Sequence, residues 1–244
     1  MKTSALITNN EKIAKDIYEL TLELKTDCLP GQFVNISVNE PDLLLRRPIS
    51  ISNYENERLK VIYRTVGKGT KALSKINVGN RLDILYPLGN GYPLVKGKNV
   101  LLVGCGMGVA PMLYLAKELS KDNNLTIILA YQNSEFAYLT KAFDNYGNVI
   151  ITTDDGSIGY KGNVLEYLKD NKINFDTLYA CGPLIVLKNL DLKYRDIKEG
   201  YLSFESRMAC GIGACYGCVI NTKNGLKRVC KDGPIFKLGE VVYD

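Results

Sequence analysis

Four cysteines near the C-terminus, Cys210, Cys215, Cys218 and Cys230, constrain this chain more than any other feature. Their spacing, Cys-x4-Cys-x2-Cys followed by Cys218-x11-Cys230, is that of a four-thiolate [2Fe–2S] cluster loop. The segment Ala209-Cys210-Gly211-Ile212-Gly213-Ala214-Cys215-Tyr216-Gly217-Cys218 alternates candidate ligands with very small residues. Small residues let a backbone wrap closely around a cluster and aim N–H groups at its sulfurs. Arg207, Lys223, Lys227, Arg228 and Lys231 are near enough in sequence to offset the negative charge of four thiolates. Structural zinc ordinarily shows two Cys-x2-Cys pairs, and only Cys215 and Cys218 form one here. Disulfides need an oxidising compartment, and Met1-Lys2-Thr3-Ser4 does not begin a signal peptide. The pattern therefore predicts single-electron transfer.

At 244 residues the chain has room for two or three small domains. Its 46% hydrophobic and 23% charged residues are ordinary for a globular protein. No apolar run approaches the ~18 residues of a membrane helix, so no membrane partner is expected. The net charge of +5 is mild and dispersed, which argues against nucleic acid as a partner. Seven cysteines without a secretory signal fit a reducing cytoplasm, and Cys28, Cys105 and Cys181 are expected to be small buried residues. Histidine is absent altogether. That excludes Ser-His-Asp and Cys-His nucleophilic machinery and leaves bound-cofactor chemistry as the natural inference.

The expected fold class combines an antiparallel β-barrel, a parallel-sheet α/β domain and a small C-terminal cluster module. Residues 1–93 read as the barrel. Strand candidates alternate over Ile17–Leu24, Gln32–Val38, Leu59–Thr65 and Arg81–Tyr86, with a turn at 39–42 and a short helix at Thr70–Ile76. After the punctuated linker Pro87-Leu88-Gly89-Asn90-Gly91-Tyr92-Pro93 the pattern changes. Residues 94–203 alternate strands (Val100–Val103, Leu125–Ala130, Asn148–Thr153, Asp176–Ala180) with helical stretches. The helices are one marked by Met112, Leu115 and Leu119, then Glu135–Tyr146, Gly162–Asp170 and Pro183–Leu190. Residues 204–244 are the cluster module.

Three loops carry candidate binding chemistry. Gly104-Cys105-Gly106-Met107-Gly108-Val109-Ala110-Pro111 follows a strand and opens a helix, as a pyrophosphate-binding turn would. Its Gly-x-Gly-x-Gly spacing is not the Gly-x-Gly-x-x-Gly fingerprint, and a plain packing turn stays open. Arg46-Arg47-Pro48-Ile49-Ser50 is placed at the end of a barrel loop, where arginine can fork onto phosphate and serine can donate to a ring. Val66-Gly67-Lys68-Gly69-Thr70 leads into the short helix, and Cys181-Gly182-Pro183 ends a strand of the α/β half.

In order and spacing these motifs resemble the ferredoxin–NADP reductase superfamily over essentially the whole chain, and within it the electron-transfer subunits of type B dihydroorotate dehydrogenase. The resemblance implies that Arg47, Pro48, Ile49 and Ser50 contact a flavin, and that Ile62, Tyr63, Arg64, Gly69 and Thr70 hold the rest of FAD. It implies that Gly104, Gly106, Gly108, Pro111, Cys181 and Gly182 form the nicotinamide side, with Cys181 near the nicotinamide, and that the four cysteines bind [2Fe–2S]. Many members have a flavin-stacking tyrosine where this chain has Ile49, which leaves Tyr63 as the substitute. Asp154 and Asp155, after the strand Asn148–Thr153, are candidates for the coenzyme ribose and predict NAD over NADP; a turn-capping role is equally open. The implied partner is an FMN-containing catalytic subunit that oxidises dihydroorotate, assembled as two plus two chains. Alternatives are the small subunit of an NADH-dependent ferredoxin:NADP oxidoreductase or of a sulfhydrogenase, or an iron–sulfur redox sensor without turnover.

Overall fold

The computed structural model describes residues 1–38 and 40–243. The predicted turn at 39–42 includes Asn39, which like Asp244 lies outside the described residues. The N-terminal part is a closed antiparallel barrel of six strands. They are β1 (Lys2–Ala14), β2 (Ile17–Glu23), β3 (Phe33–Ile36), β4 (Arg47–Glu55), β5 (Arg58–Arg64) and β6 (Arg81–Leu88), arranged β1-β2-β5-β4-β3-β6. Alternate residues such as Leu20, Leu22, Val34, Ile36, Val61 and Ile84 fill its interior. Helix α1 (Lys68–Leu73) connects β5 to β6.

Two barrel strands are absent from the expectation drawn above. β1 is hidden by its polar run Thr8-Asn9-Asn10-Glu11 and by register shifts that interrupt strict alternation. β4 begins at Arg47, so Arg47 to Ser50 lie on a strand and not at the end of a loop. Pro48 is tolerated because pairing to β5 starts only at Ile51, where β4 gains its second neighbour.

The second part is a seven-stranded sheet in the order β10-β9-β8-β7-β11-β12-β15. In chain order these elements are β7 (Asn99–Cys105), α2 (Val109–Leu119), β8 (Asn124–Tyr131), β9 (Asn148–Thr153), β10 (Tyr160–Lys161), α3 (Val164–Asp170), β11 (Thr177–Cys181), α4 (Leu184–Tyr194) and β12 (Glu199–Ser203). A small hairpin follows, β13 (Val219–Thr222) and β14 (Gly225–Arg228), then one-turn α5 (Val229–Asp232) and β15 (Ile235–Lys237). All pairings in the large sheet are parallel except β12 with β15. The helix expected over Glu135–Tyr146 is instead two 3₁₀ turns, Ser134–Phe136 and Thr140–Phe143, because Leu139 between them takes a left-handed conformation (φ 57) that ends any helical path.

Strand order reverses at β7, whose neighbours are β8 on one side and β11 on the other. Crevices at the carboxyl ends of strands open at such switch points, which brings the turn after β7 beside the turn after β11. The sheet buries two cores, one per face. One of them includes Phe33 of the barrel and Cys218, Val229, Cys230 and Phe236 of the C-terminal segment, so the last forty residues share a core with the sheet. The barrel–sheet junction is pinned by Tyr179 Oη donating to the Pro93 carbonyl (2.7 Å) and by Arg64 over the Phe136 ring (4.5 Å). No helix of the described residues is long and apolar enough to cross a membrane.

Candidate functional site

The start of β4 and the end of β5 lie side by side against the start of α2, and a cleft of about 420 Å³ opens there. Pro48, Ile49, Ser50, Ile62, Tyr63, Arg64 and Thr70 line it from the barrel, and Met107, Ala110 and Pro111 from the α2 turn. Pro111 therefore faces the barrel cleft and not the coenzyme side expected for it. Arg47 and Gly69 sit just behind, and they fit so closely that a Cβ at Gly69 would collide with the Arg47 guanidinium. An arginine laid across a bare helix start is a suitable cradle for a pyrophosphate. The Thr70 hydroxyl accepts from the N–H groups of Val66 (3.1 Å) and Gly67 (3.4 Å), so it also organises its own helix start. Tyr63 is not a stacking platform. Its ring is buried in the barrel, stacked on Tyr18 (centroids 5.7 Å), with its hydroxyl donating to Asn10 (2.8 Å). Both tyrosines point the same way because they are directly opposed on β2 and β5.

A second cleft of about 470 Å³ runs from the first and shares Arg64, Met107, Phe204 and Glu205 with it. Its floor is Cys105, Gly106, Gly108 and Gly182. Gly108 must be glycine here: a Cβ would collide with the Cys181 carbonyl. Gly104 lies beneath, where a Cβ would come within 2.8 Å of Val109 Cα. Cys181 itself is buried beneath the groove and is not part of its lining, and burial pushes its thiol far above the ordinary range. Cys105 is pushed up to about 12, by burial and then by the Asp154 charge. A third cleft of about 320 Å³ continues past Cys105, Gly106 and Pro183 to Gln132, Asp154 and Asn163. The two aspartates thus separate. Asp154 lines this groove, whereas Asp155 accepts from the Ser157 N–H (2.9 Å), capping the turn.

The cysteine loop stands ready for a binuclear centre. The Cys210 thiol feels Cys215, and the Cys230 thiol feels both Cys218 and Cys210, so the four are mutual neighbours in the loop. Backbone N–H groups approach the sulfurs: Ile212 to Cys210 (3.5 Å), Gly213 to Cys230 (3.1 Å), Gly217 to Cys215 (3.4 Å) and Cys230 to Cys218 (3.4 Å). Burial works against ionising Cys210, but the N–H groups of Ile212 and Cys215 prevail and hold it down to about 6. Burial and the neighbouring Cys218 push Cys230 up to about 12. Backbone N–H donors on all four sulfurs suit an iron–sulfur centre. Gly211 (φ 71) and Gly213 (φ 82) supply the left-handed turns that fold the loop. Of the nearby cations, Lys227 is paired with Glu240 (2.6 Å) and Arg228 with Asp232 (2.9 Å), while Arg228 also donates to the Gly213 carbonyl (2.9 Å). Arg228 therefore fixes the loop more than it offsets charge.

Sequence reasoning missed Phe33, Phe204 and Glu205, which line the clefts. Phe204 and Glu205 follow β12, a strand whose Glu199-Gly200 start hides it. Its position as a carboxyl end beside β11 was the one available signal.

A family model described as the iron–sulfur cluster binding domain of dihydroorotate dehydrogenase B matches residues 205–242. The dihydroorotate dehydrogenase B (NAD(+)) electron transfer subunit of Shouchella clausii is 43% identical over 250 residues, spanning 97% of this chain and 96% of that protein. The subunit of the same name from a Geobacillus species is 44% identical over 249 residues, again 97% and 96%. A solved NADH-dependent reduced ferredoxin–NADP oxidoreductase, described for flavin-based electron bifurcation, superposes with TM-score 0.89 at 31% identity over 98% of this chain and 90% of that one. Phthalate dioxygenase reductase superposes with TM-score 0.69 at 16% identity over 91% and 87%, a likeness of fold. With relatives this similar along nearly its whole length, the chain belongs to the family of dihydroorotate dehydrogenase B electron transfer subunits.

Proposed function

We propose that this chain is the electron-transfer component of an NAD-linked dihydroorotate dehydrogenase in the cytoplasm, working with a catalytic partner subunit that contains FMN in a two-plus-two assembly. The observation that carries the reading is the confluence of the barrel cleft with the coenzyme groove, with the cysteine loop anchored to the same barrel. When bound, a flavin exchanges hydride with a nicotinamide and single electrons with an iron–sulfur cluster, which is the conversion such a subunit needs.

The protein's own part is to hold and orient. Arg47, Gly69 and Thr70 would take the FAD pyrophosphate, and Pro48, Ile49, Ser50, Ile62 and Arg64 its ring system. Gly104, Gly106, Gly108, Gly182 and Asp154 would hold NAD, with Phe204 and Glu205 bordering the meeting point and excluding water. Cys210, Cys215, Cys218 and Cys230 would hold [2Fe–2S]. We place the three units at 1–93, 94–203 and 204–244. Without a histidine to move protons, the chain is suited to electron and hydride traffic. Relatives at 41–44% identity bear the dihydroorotate name, against 31% for the ferredoxin–NADP oxidoreductase, so the second assignment is not favoured. Purifying the native complex tests the reading. FAD and two irons per copy of this chain, FMN on the partner, and NADH-dependent reduction of an artificial acceptor are expected. A chain that binds no flavin, or that lacks NADH turnover as a redox sensor would, refutes it.

A further inference from the structure

Strand β3 places its residues alternately. Val34 and Ile36 face the barrel interior, so Phe33 and Asn35 face outward. Phe33 lines the barrel cleft, and Asn35, two residues along, meets the cysteine loop. Asn35 is fully buried, its Nδ2 donates to the Cys210 carbonyl (3.4 Å), and Gly211 lies so near that a Cβ there would be 2.5 Å from Nδ2. Its Oδ1 is buried with no partner among the described residues. Reversing the amide would not help, because that would set Oδ1 against the Cys210 carbonyl.

A buried, half-satisfied amide is a poor stabiliser, and an aliphatic residue of the same size would serve the barrel better. Its position suggests another purpose. Across the β3–β4 ladder Asn35 is opposite Pro48, within the segment Pro48 to Ser50 that lines the flavin cleft. One residue therefore ties the flavin-binding strand pair to the peptide of a cluster ligand.

We propose that Asn35 is a positioning residue that fixes Cys210 and its loop relative to the flavin cleft and tunes the cluster through its N–H donor; this rests on the functional reading above. A donor directed at a ligand's peptide favours the more negative, reduced centre, so its loss lowers the midpoint potential. Contacts of this outer kind change metal-site properties by about tenfold or more.

The test uses the holo-complex with Asn35→Leu and Asn35→Asp. Flavin content and the rate at which NADH reduces flavin are expected to stay at the wild-type level. The EPR spectrum of the reduced cluster should change, its midpoint potential should fall, further in Asn35→Asp, and cluster reduction should slow about tenfold. Should Asn35→Leu not fold, Asn35→Ser, which keeps a donor in a smaller volume, is compared with Asn35→Asp: an EPR spectrum and potential nearer wild type in Asn35→Ser support the role. Wild-type EPR and potential in all folded variants, even with altered melting temperature, overturn it. A wild-type complex without any [2Fe–2S] signal overturns the functional reading and this inference together. A wild-type signal that the variants leave untouched overturns this inference alone.

Discussion

Cys230 is the second residue of the one-turn helix α5 and almost fully buried, with the Gly213 N–H directed at its sulfur. It is the cysteine furthest in sequence from the other three, so its replacement tests the whole constellation. Cys230→Ala should abolish or severely deplete the visible and EPR signals of the cluster, while alanine at Cys28, Cys105 or Cys181 should leave iron content unchanged. Full iron occupancy in Cys230→Ala, by direct iron analysis, would remove Cys230 from the ligand set. Asp154 carries the second prediction at this scale. A carboxylate in the groove accepts from a ribose hydroxyl and repels a 2′-phosphate, so kcat/KM for NADH should exceed that for NADPH at least about tenfold, roughly 1.4 kcal/mol. Asp154→Ala should narrow that gap and Asp155→Ala should not, since Asp155 is engaged with Ser157. Equal narrowing by both substitutions would show that the groove position of Asp154 is not the cause.

Two turns, each formed by a different strand, make the groove proposed for the coenzyme a single object. The turn after β7 lies directly on the turn after β11: a side chain on Gly108 would collide with the Cys181 carbonyl and come within 2.7 Å of the Gly182 nitrogen. Gly108→Ala must push the two strand ends apart. An overpacked contact of this kind costs about 1–3 kcal/mol. The expected result is a lower melting temperature and a higher KM for NADH, with FAD retained through gel filtration because Arg47, Gly69 and Thr70, proposed for its pyrophosphate, are on β4 and α1, away from the altered turn. Unaltered NADH kinetics in that variant would show that the β7 turn does not touch the coenzyme. The same reasoning applies to α1 and β4, where Gly69 and Arg47 interlock. Arg47→Ala would remove the forked, charged contact proposed for the FAD pyrophosphate, worth roughly 1.5–3 kcal/mol, so flavin affinity should fall about 10- to 150-fold, read from flavin lost on dilution.

The C-terminal segment returns to the large sheet at whole-molecule scale. Phe236 of β15, opposite Leu202 of β12 and edge-on to Phe204 (5.9 Å), belongs to the same core as Cys218 and Cys230. Phe236→Ala should cost about 3–5 kcal/mol, and cluster absorption and far-UV circular dichroism should be lost together on heating. Separate transitions would show a cysteine module that folds on its own. Much of this architecture was legible in the sequence, because its signals are contiguous: the spacing of the cysteines, the alternation of β2, β3, β5 and β6, and glycines where a strand turns into a helix. Short or interrupted strands were not legible. β1 carries a polar run, β12 begins with Glu199-Gly200 and so lacks an apolar start, β15 has three residues, and Leu139 breaks a segment whose composition suits a helix. The sequence by itself determined the chemistry this chain can bear, since ligand types and spacings are local properties. Only the tertiary structure decided which groups meet. It turned Tyr63 into the barrel, set Pro111 on the barrel cleft, separated Asp154 from Asp155, and brought Asn35 under Cys210. Those outcomes depend on which strands pair and on which face each side chain emerges, and pairing between residues far apart in the chain leaves no periodic trace in either segment alone.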